Sequence, residues 1–207
     1  MEITSGKVYN LFGKNGIEEV KNTGLNIGQI AQIKYEDSIK GLLKEYKYLE
    51  LKEFSNKSNH ALAAKNIKTE LKRIYPNTKF TVKSDSYSGG NSVHIDWTNG
   101  ATSEMVNKIV DKYQEGDFNG MEDIYEYNSS AFNNIFGGVK YVIAQRHITN
   151  DKHVETAKEY GYNITFTERN EMIFKPEDIK TMEDQNTDKW DMERRIYRES
   201  YSKNYYI

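Results

Sequence analysis

Four histidines, His60, His94, His147 and His153, are the residues of this chain best suited to proton transfer or metal binding, and they fall on separate predicted elements. None stands at a spacing that gathers ligands locally. His94 and Asp96 are two apart on a predicted strand and so share one face. That arrangement suits an acid/base pair or a metal contact, and equally a solvated pair on an outer face. Ser84, Ser86 and Ser88 lack a Gly-x-Ser-x-Gly elbow, and Gly89-Gly90 lacks the lysine and the helix of a phosphate-binding P-loop. Gly137-Gly138 ahead of a strand is equally unspecific, and Glu122 and Asp123 read as part of an acidic loop. Cysteine is absent, which removes disulfides, thiol catalysis and thiolate metal sites. The expectation is a protein that is not an enzyme, uses no cofactor or metal, and works by contact.

Candidate contact residues are more distinctive. The net charge is only −2, but Lys57, Lys65, Lys68, Lys72, Arg73, Lys79 and Lys83 form a basic block in which Glu70 is the only acid. Lys65, Lys68 and Lys72 recur at helical spacing, and Lys79 and Lys83 leave a strand opposite Phe80 and Val82, so the two sets can merge into one patch. Such a patch attracts phosphate backbones or an acidic protein surface, with salt-sensitive contacts; its plain alternative is a solvated helix face. The loop Ser88-Gly89-Gly90-Asn91 is small and polar enough to leave backbone N–H groups open to a phosphate or a peptide edge. Glu115, Asp117, Glu122, Asp123 and Glu126 form an acidic block that would repel a duplex. Sixteen tyrosines is a high count. Tyr46, Tyr48, Tyr87, Tyr125, Tyr127, Tyr197, Tyr201, Tyr205 and Tyr206 stand in polar company, as tyrosines of interfaces and base-stacking platforms do. In the tail, Arg194, Arg195 and Arg198 with Tyr197 and Tyr201 suggest a partner contact, or an ordinary packed terminal helix.

These residues must be positioned by an α+β chain. A length of 207 residues, 37% hydrophobic and 13% aromatic, suffices to build a core. The mean hydropathy of −0.84, short apolar runs and lack of a signal-peptide pattern suggest a soluble, cytoplasmic protein that makes no membrane contact. Frequent glycines up to residue 56 predict a small β-rich module, with strands over 27–35 and 41–54; a helix over 38–54 competes with the second. Residues 57–175 read as an α+β domain, and 176–207 as a charged helical tail. Within the domain, Ala64, Ile67, Leu71 and Ile74 mark a helix that Pro76 stops. Phe80 and Val82, then Val93, Ile95 and Trp97, alternate as a hairpin, and Val106, Ile109, Val110 and Tyr113 mark a second helix. The resulting helix–hairpin–helix unit places both helices on one side of the sheet. A strand over 139–148, a helix over 154–160 closed by Gly161, and strands near 162–167 and 172–174 follow. Trp190, Tyr197 and Tyr201 are predicted to form a stripe on a terminal helix.

The run from Ala61 to Lys72, then Pro76, Phe80–Ser86, Gly89–Ser92, Asp96–Gly100, Gly116–Met121 and Tyr125 through Phe136–Tyr141, resembles a large polyvalent protein-associated domain. This family occurs in proteins of phages and conjugative elements. The resemblance covers roughly the middle half of the chain and implies a mobile-element origin, an accessory role in a bacterial cell and no catalytic residues. Two functions follow from it and from the surface residues. One is a counter-defence inhibitor, such as an anti-CRISPR protein, whose partner is a host defence protein or ribonucleoprotein effector. The other is an accessory factor that binds DNA or RNA during transfer or replication of the element. The oligomeric state is not legible in the sequence.

Overall fold

The computed structural model describes residues 27–184 and 187–206. Helix α1 (Ile27–Glu45) comes first, and helix α2 (Asn59–Ile74) lays Leu62, Ala63, Ile67 and Leu71 along one fully buried stripe. This three- and four-residue spacing is what a helix needs to seal a core. Strands β1 (Thr81–Tyr87) and β2 (Gly90–Thr98) pair antiparallel, with Val82 opposite Ile95 and Ser84 opposite Val93. Helix α3 (Ser103–Val110) starts at Thr102, whose side chain accepts the Met105 N–H. After a two-stranded ribbon, β3 (Gly116–Asn119) with β4 (Ile124–Tyr127), and helix α4 (Ala131–Phe136), strand β5 (Tyr141–His147) returns parallel to β2. The sheet order is β1-β2-β5.

One face of that sheet is covered and the other is open. Val93, Ile95 and Trp97 of β2 join Ile67 and Leu71 of α2, Val106 and Val110 of α3, and Phe132 and Phe136 of α4 in a first core. Because successive strand residues alternate in direction, Lys83, His94, Asp96, Ile143 and His147 occupy the opposite face, where Lys83, His94, Ile143 and His147 are exposed.

A second core follows from α5 (Asn150–Glu159), β6 (Ile164–Phe166), β7 (Met172–Phe174), α6 (Pro176–Asp184) and α7 (Lys189–Ser202). Ala157, Tyr162, Ile164, Met172, Phe174, Met182, Met192 and Ile196 are its buried members. The two cores are joined by Arg146, which is only 4% exposed. Its guanidinium donates to the carbonyls of Asn99, Gly100, Tyr201 and Lys203 at 2.8 to 2.9 Å. Beyond α7 the chain returns to the first core: the Tyr205 N–H donates to Gly100 O, and the Tyr206 ring meets Tyr75 edge-on at 4.9 Å.

The structure corrects the sequence reading in several places. Residues 27–45 are a helix and 46–54 hold only turns and a short 3-10 turn at Lys52–Phe54, so neither the strand expected over 27–35 nor the one over 41–54 is formed; residues 1–26 of the proposed N-terminal β-rich module lie outside the described residues. Leu42 and Tyr46, four apart, turn toward the first core, and Tyr46 packs edge-on against Phe132 at 5.1 Å. Gly41, which argued for a turn, lies where nothing is within 4 Å and is carried inside the helix at a cost of about 1 kcal/mol. The acidic loop expected over 117–123 is the β3–β4 hairpin, turned at Asp123 with φ +55°. Helix α4 was not foreseen; it is short and held by a capping box between Ser130 and Asn133. The tail forms two helices, and α7 buries Met192, Ile196 and Ser200, whereas Trp190 is 66% exposed.

Candidate functional site

The end of α2 and the start of β1 meet around a groove of about 400 Å³, lined by Lys68, Lys72, Pro76, Asn77, Thr78, Lys79 and Phe80. Lys68 and Lys72 are one helical turn apart, and Pro76 ends the helix so that the chain doubles back and brings Lys79 to the same rim. Phe80 anchors the floor through Trp97 and Tyr75, with ring centroids at 5.6 and 6.2 Å. Gly100 closes the turn beneath with φ +57°; a Cβ there would strike the Thr78 side chain at 2.7 Å. Among the described residues none of the three lysines is ion-paired with a carboxylate. Three uncompensated ammonium groups beside an aromatic floor suit a phosphate-bearing or carboxylate-bearing ligand.

The other basic residues of the block go elsewhere. Lys65 is ion-paired with Glu50, and the Arg73 guanidinium lies 4.3 Å from the Tyr48 ring centroid. Lys83 stands on the open sheet face opposite His94. The merged patch expected from the sequence therefore forms in part: Lys68 and Lys72 of the helix meet Lys79 at the groove, whereas Lys65 is paired with Glu50 and Lys83 lies on the sheet face. Ser88 and Gly89 make the tight turn of the β1–β2 hairpin, Gly89 with φ +95°. Asn91 accepts the Lys140 N–H at 2.8 Å, and the Lys140 ammonium donates to Gly89 O at 2.9 Å. A Cβ at Gly90 would strike the Lys140 side chain at 2.9 Å. Gly89 and Asn91 thus join the hairpin turn to the chain entering β5, at the end of β1 away from the groove.

On the open face the Ser92 hydroxyl lies 3.1 Å from His94 Nε2, and His147 Nε2 lies 3.5 Å from Asp96 Oδ1. His94 and Asp96 share a face but take different partners. Among the described residues no group of three His, Asp or Glu side chains is placed to hold a metal ion.

The tail residues divide between clasp and surface. Tyr197 packs edge-on to His153 with ring centroids 4.7 Å apart, and Tyr201 supplies one of the carbonyls held by Arg146. Arg194, Arg195 and Arg198 line a shallow exposed recess with Asp191. Arg194 pairs with Asp191, Arg195 lies over the Tyr160 ring at 4.6 Å, and Arg198 reaches Glu199 at 3.9 Å. Of the tyrosines taken as surface contacts, only Tyr87, Tyr127 and Tyr201 are exposed. Burial pushes the Tyr46 and Tyr125 hydroxyls up to about 12.

The feature that sequence reasoning missed is a charged network inside the first core. Glu70 is 3% exposed and accepts from the Tyr113 hydroxyl at 2.9 Å, the Tyr48 hydroxyl at 3.2 Å and the Lys112 ammonium at 2.5 Å. Lys112 in turn lies over the Tyr46 ring at 4.3 Å. Burial, then the Glu70 charge, raises the Tyr113 hydroxyl far above the ordinary phenol range. The signal available was the lone acid in a basic block, on the apolar side of α2.

A helix-covered three-stranded sheet with a basic groove at one end makes the middle of the chain a mixed α/β domain. Residues 58–149 match the family model of the large polyvalent protein associated domain 29. The resemblance read from the sequence thus holds for the middle of the chain, which contains all of α2 through β5. No curated protein and no solved structure matches the chain. No helix among the described residues is long and apolar enough to cross a membrane.

Proposed function

We propose that this chain is a mobile-element accessory protein that acts by binding, and that its role is counter-defence: it occupies a host immune effector, such as a CRISPR nuclease, and blocks it. The observation that carries this reading is the groove of Lys68, Lys72 and Lys79, open and uncompensated, on a domain matched to a mobile-element family. A ribonucleoprotein effector offers that groove the phosphates of its guide. The groove is short, so the affinity it supplies alone is limited to a few phosphate contacts, and selection of one effector falls to other surfaces.

The test is inhibition of purified bacterial immune nucleases by the full chain, compared with a variant carrying K68E, K72E and K79E. Inhibition by the parent that is lost in the variant supports the reading; failure to inhibit any nuclease of the panel removes it. The groove also favours a second reading, a nucleic-acid-binding accessory factor for transfer or replication. In that case a gel shift on bare single- or double-stranded DNA or RNA appears without any effector and weakens steeply between low and physiological salt.

A further inference from the structure

The ribbon β3–β4 lies at the other end of the sheet from the groove. It is moored at the β5 side: the Tyr125 hydroxyl donates to Gly116 O and Lys140 O, and the Tyr125 ring packs against Tyr141 at 5.3 Å. Since Lys140 also holds the β1–β2 turn, the length of β1 separates ribbon from groove by about 20 Å. Among the described residues no third strand covers either edge of the ribbon.

Its surface is unusual in two respects. Met121 at the tip is 98% exposed, Ile124 is exposed on the face that carries Asp117 and Glu126, and Tyr127 and Phe118 are exposed on the other face. A small ribbon does not gain stability by showing large apolar side chains to water, whereas an interface does. The same twelve residues, Gly116 to Tyr127, carry Asp117, Glu122, Asp123 and Glu126 and no lysine or arginine. Asp117 and Glu126 face each other directly across the strands, an arrangement that costs stability in the free protein. Their near partners are amides: Gln114 Nε2 donates to Asp117 at 3.4 Å and Asn119 Nδ2 to Glu126 at 2.6 Å. Among the described residues, no ion pair neutralises any of the four carboxylates.

We infer that the β3–β4 ribbon is a second docking surface, and that its occupant is a basic protein surface, one rich in arginine or lysine with apolar side chains between them. Charge complementarity selects that occupant: a cationic surface relieves the Asp117–Glu126 repulsion and covers Ile124 on the same face and Met121 at the tip, whereas a nucleic-acid backbone is repelled. The inference rests on the reading of the chain as an inhibitor and names what the ribbon reaches: the basic channel in which an effector protein would otherwise hold its nucleic acid. The groove then meets phosphates and the ribbon meets the protein that carries them.

The experiment uses the full chain and two fluorescent peptide probes, nona-arginine and an alternating Arg–Trp nonapeptide, read by anisotropy. The parent should bind both, the Arg–Trp peptide more tightly. Neutralising the ribbon with D117N, E122Q, D123N and E126Q should weaken both by at least about tenfold and flatten the salt dependence. M121S, at a side chain too exposed to matter for folding, should weaken only the Arg–Trp peptide, and K68E/K72E/K79E should weaken neither. Equal binding by the parent and the neutralised ribbon overturns the inference. So does a concentration-dependent dimer that M121S abolishes in sedimentation, since the occupant would then be a second copy of the chain. If the parent inhibits a nuclease and the neutralised ribbon inhibits it equally well, the inference fails and the proposed function stands. Ribbon-dependent peptide binding without inhibition of any nuclease leaves the docking surface and removes the function.

Discussion

The first core and the second core differ in the surroundings of a polar side chain that each encloses: a carboxylate with three side-chain donors in the first, an imidazole among aromatic rings in the second. In the first, buried Glu70 and Tyr113 are bonded into a network that reaches the half-buried Lys112 and Tyr48, and Asn66 donates to the carbonyls of both Glu50 and Phe136 at 2.8 Å. In the second, His153 is 4% exposed among the rings of Phe166, Tyr197 and Tyr201, with Nδ1 lacking a hydrogen-bond partner. Buried networks tie distant segments to one arrangement because each unmet partner is costly. The first core therefore carries its own specification. The second depends on its attachment through Arg146, whose four partners are all backbone carbonyls.

The largest effect should come from breaking the network. Glu70→Ala strips the acceptor from a fully buried Tyr113 and the counter-charge from Lys112, and should cost about 4 kcal/mol by urea denaturation. A double replacement, Glu70→Leu with Lys112→Met, should recover much of that loss; if it is no better than the single change, the network does not act as a unit. Arg146→Met should cost about 3 kcal/mol, and its loss should be local. Amide exchange should accelerate across α5 to α7 and leave α2 and β2 protected. Equal loss of protection in both cores would erase the contrast drawn between them.

A smaller effect concerns binding alone. K68E/K72E/K79E replaces exposed side chains, so the melting temperature should move by no more than the equivalent of about 0.5 kcal/mol, while affinity for a fluorescent oligonucleotide or a guide-bearing effector falls at least about tenfold at low salt. The smallest effect is that of pH. Burial holds the His153 imidazole below its ordinary value, opposed only in part by Asp151. The unfolded chain then binds a proton that the folded chain refuses. Stability should thus be full above the unfolded value of about 6.5 and should decline as pH falls toward the depressed folded value. His153→Phe should flatten the urea midpoint between pH 5 and 7; an unchanged slope would mean that His153 is not the source.

How far the sequence discloses this molecule depends on how local the determining contacts are. The stripe of α2, the alternation of β2 and the stop at Pro76 are contained in a few consecutive residues, and they appear in the structure at those positions. Lys68 and Lys72 were legible as neighbours for the same reason. That Lys65 would be spent on Glu50, and Arg73 on Tyr48, depends on pairs 15 and 25 positions apart, which no periodicity announces. Helix α1 was masked by Gly28 and Gly41, whose usual meaning is a turn, and α4 by a cap that uses Asn133 where glutamate or glutamine is customary. Arg146 is the extreme case: its partners are peptide groups, identical at every position, so its role has no sequence signature.

The parallel pairing of β2 with β5 has a consequence for how this domain can vary. Parallel neighbours cannot be joined by a short turn, so the chain between Thr98 and Tyr141 leaves the sheet and comes back, and the ribbon is an excursion within that detour. Its tip, at Gly120 to Asp123, is exposed and contributes nothing to either core. That tip can be lengthened, recoded or exchanged while the sheet and its covering helices keep their registration, which makes it the place where the domain can vary its surface without having to refold.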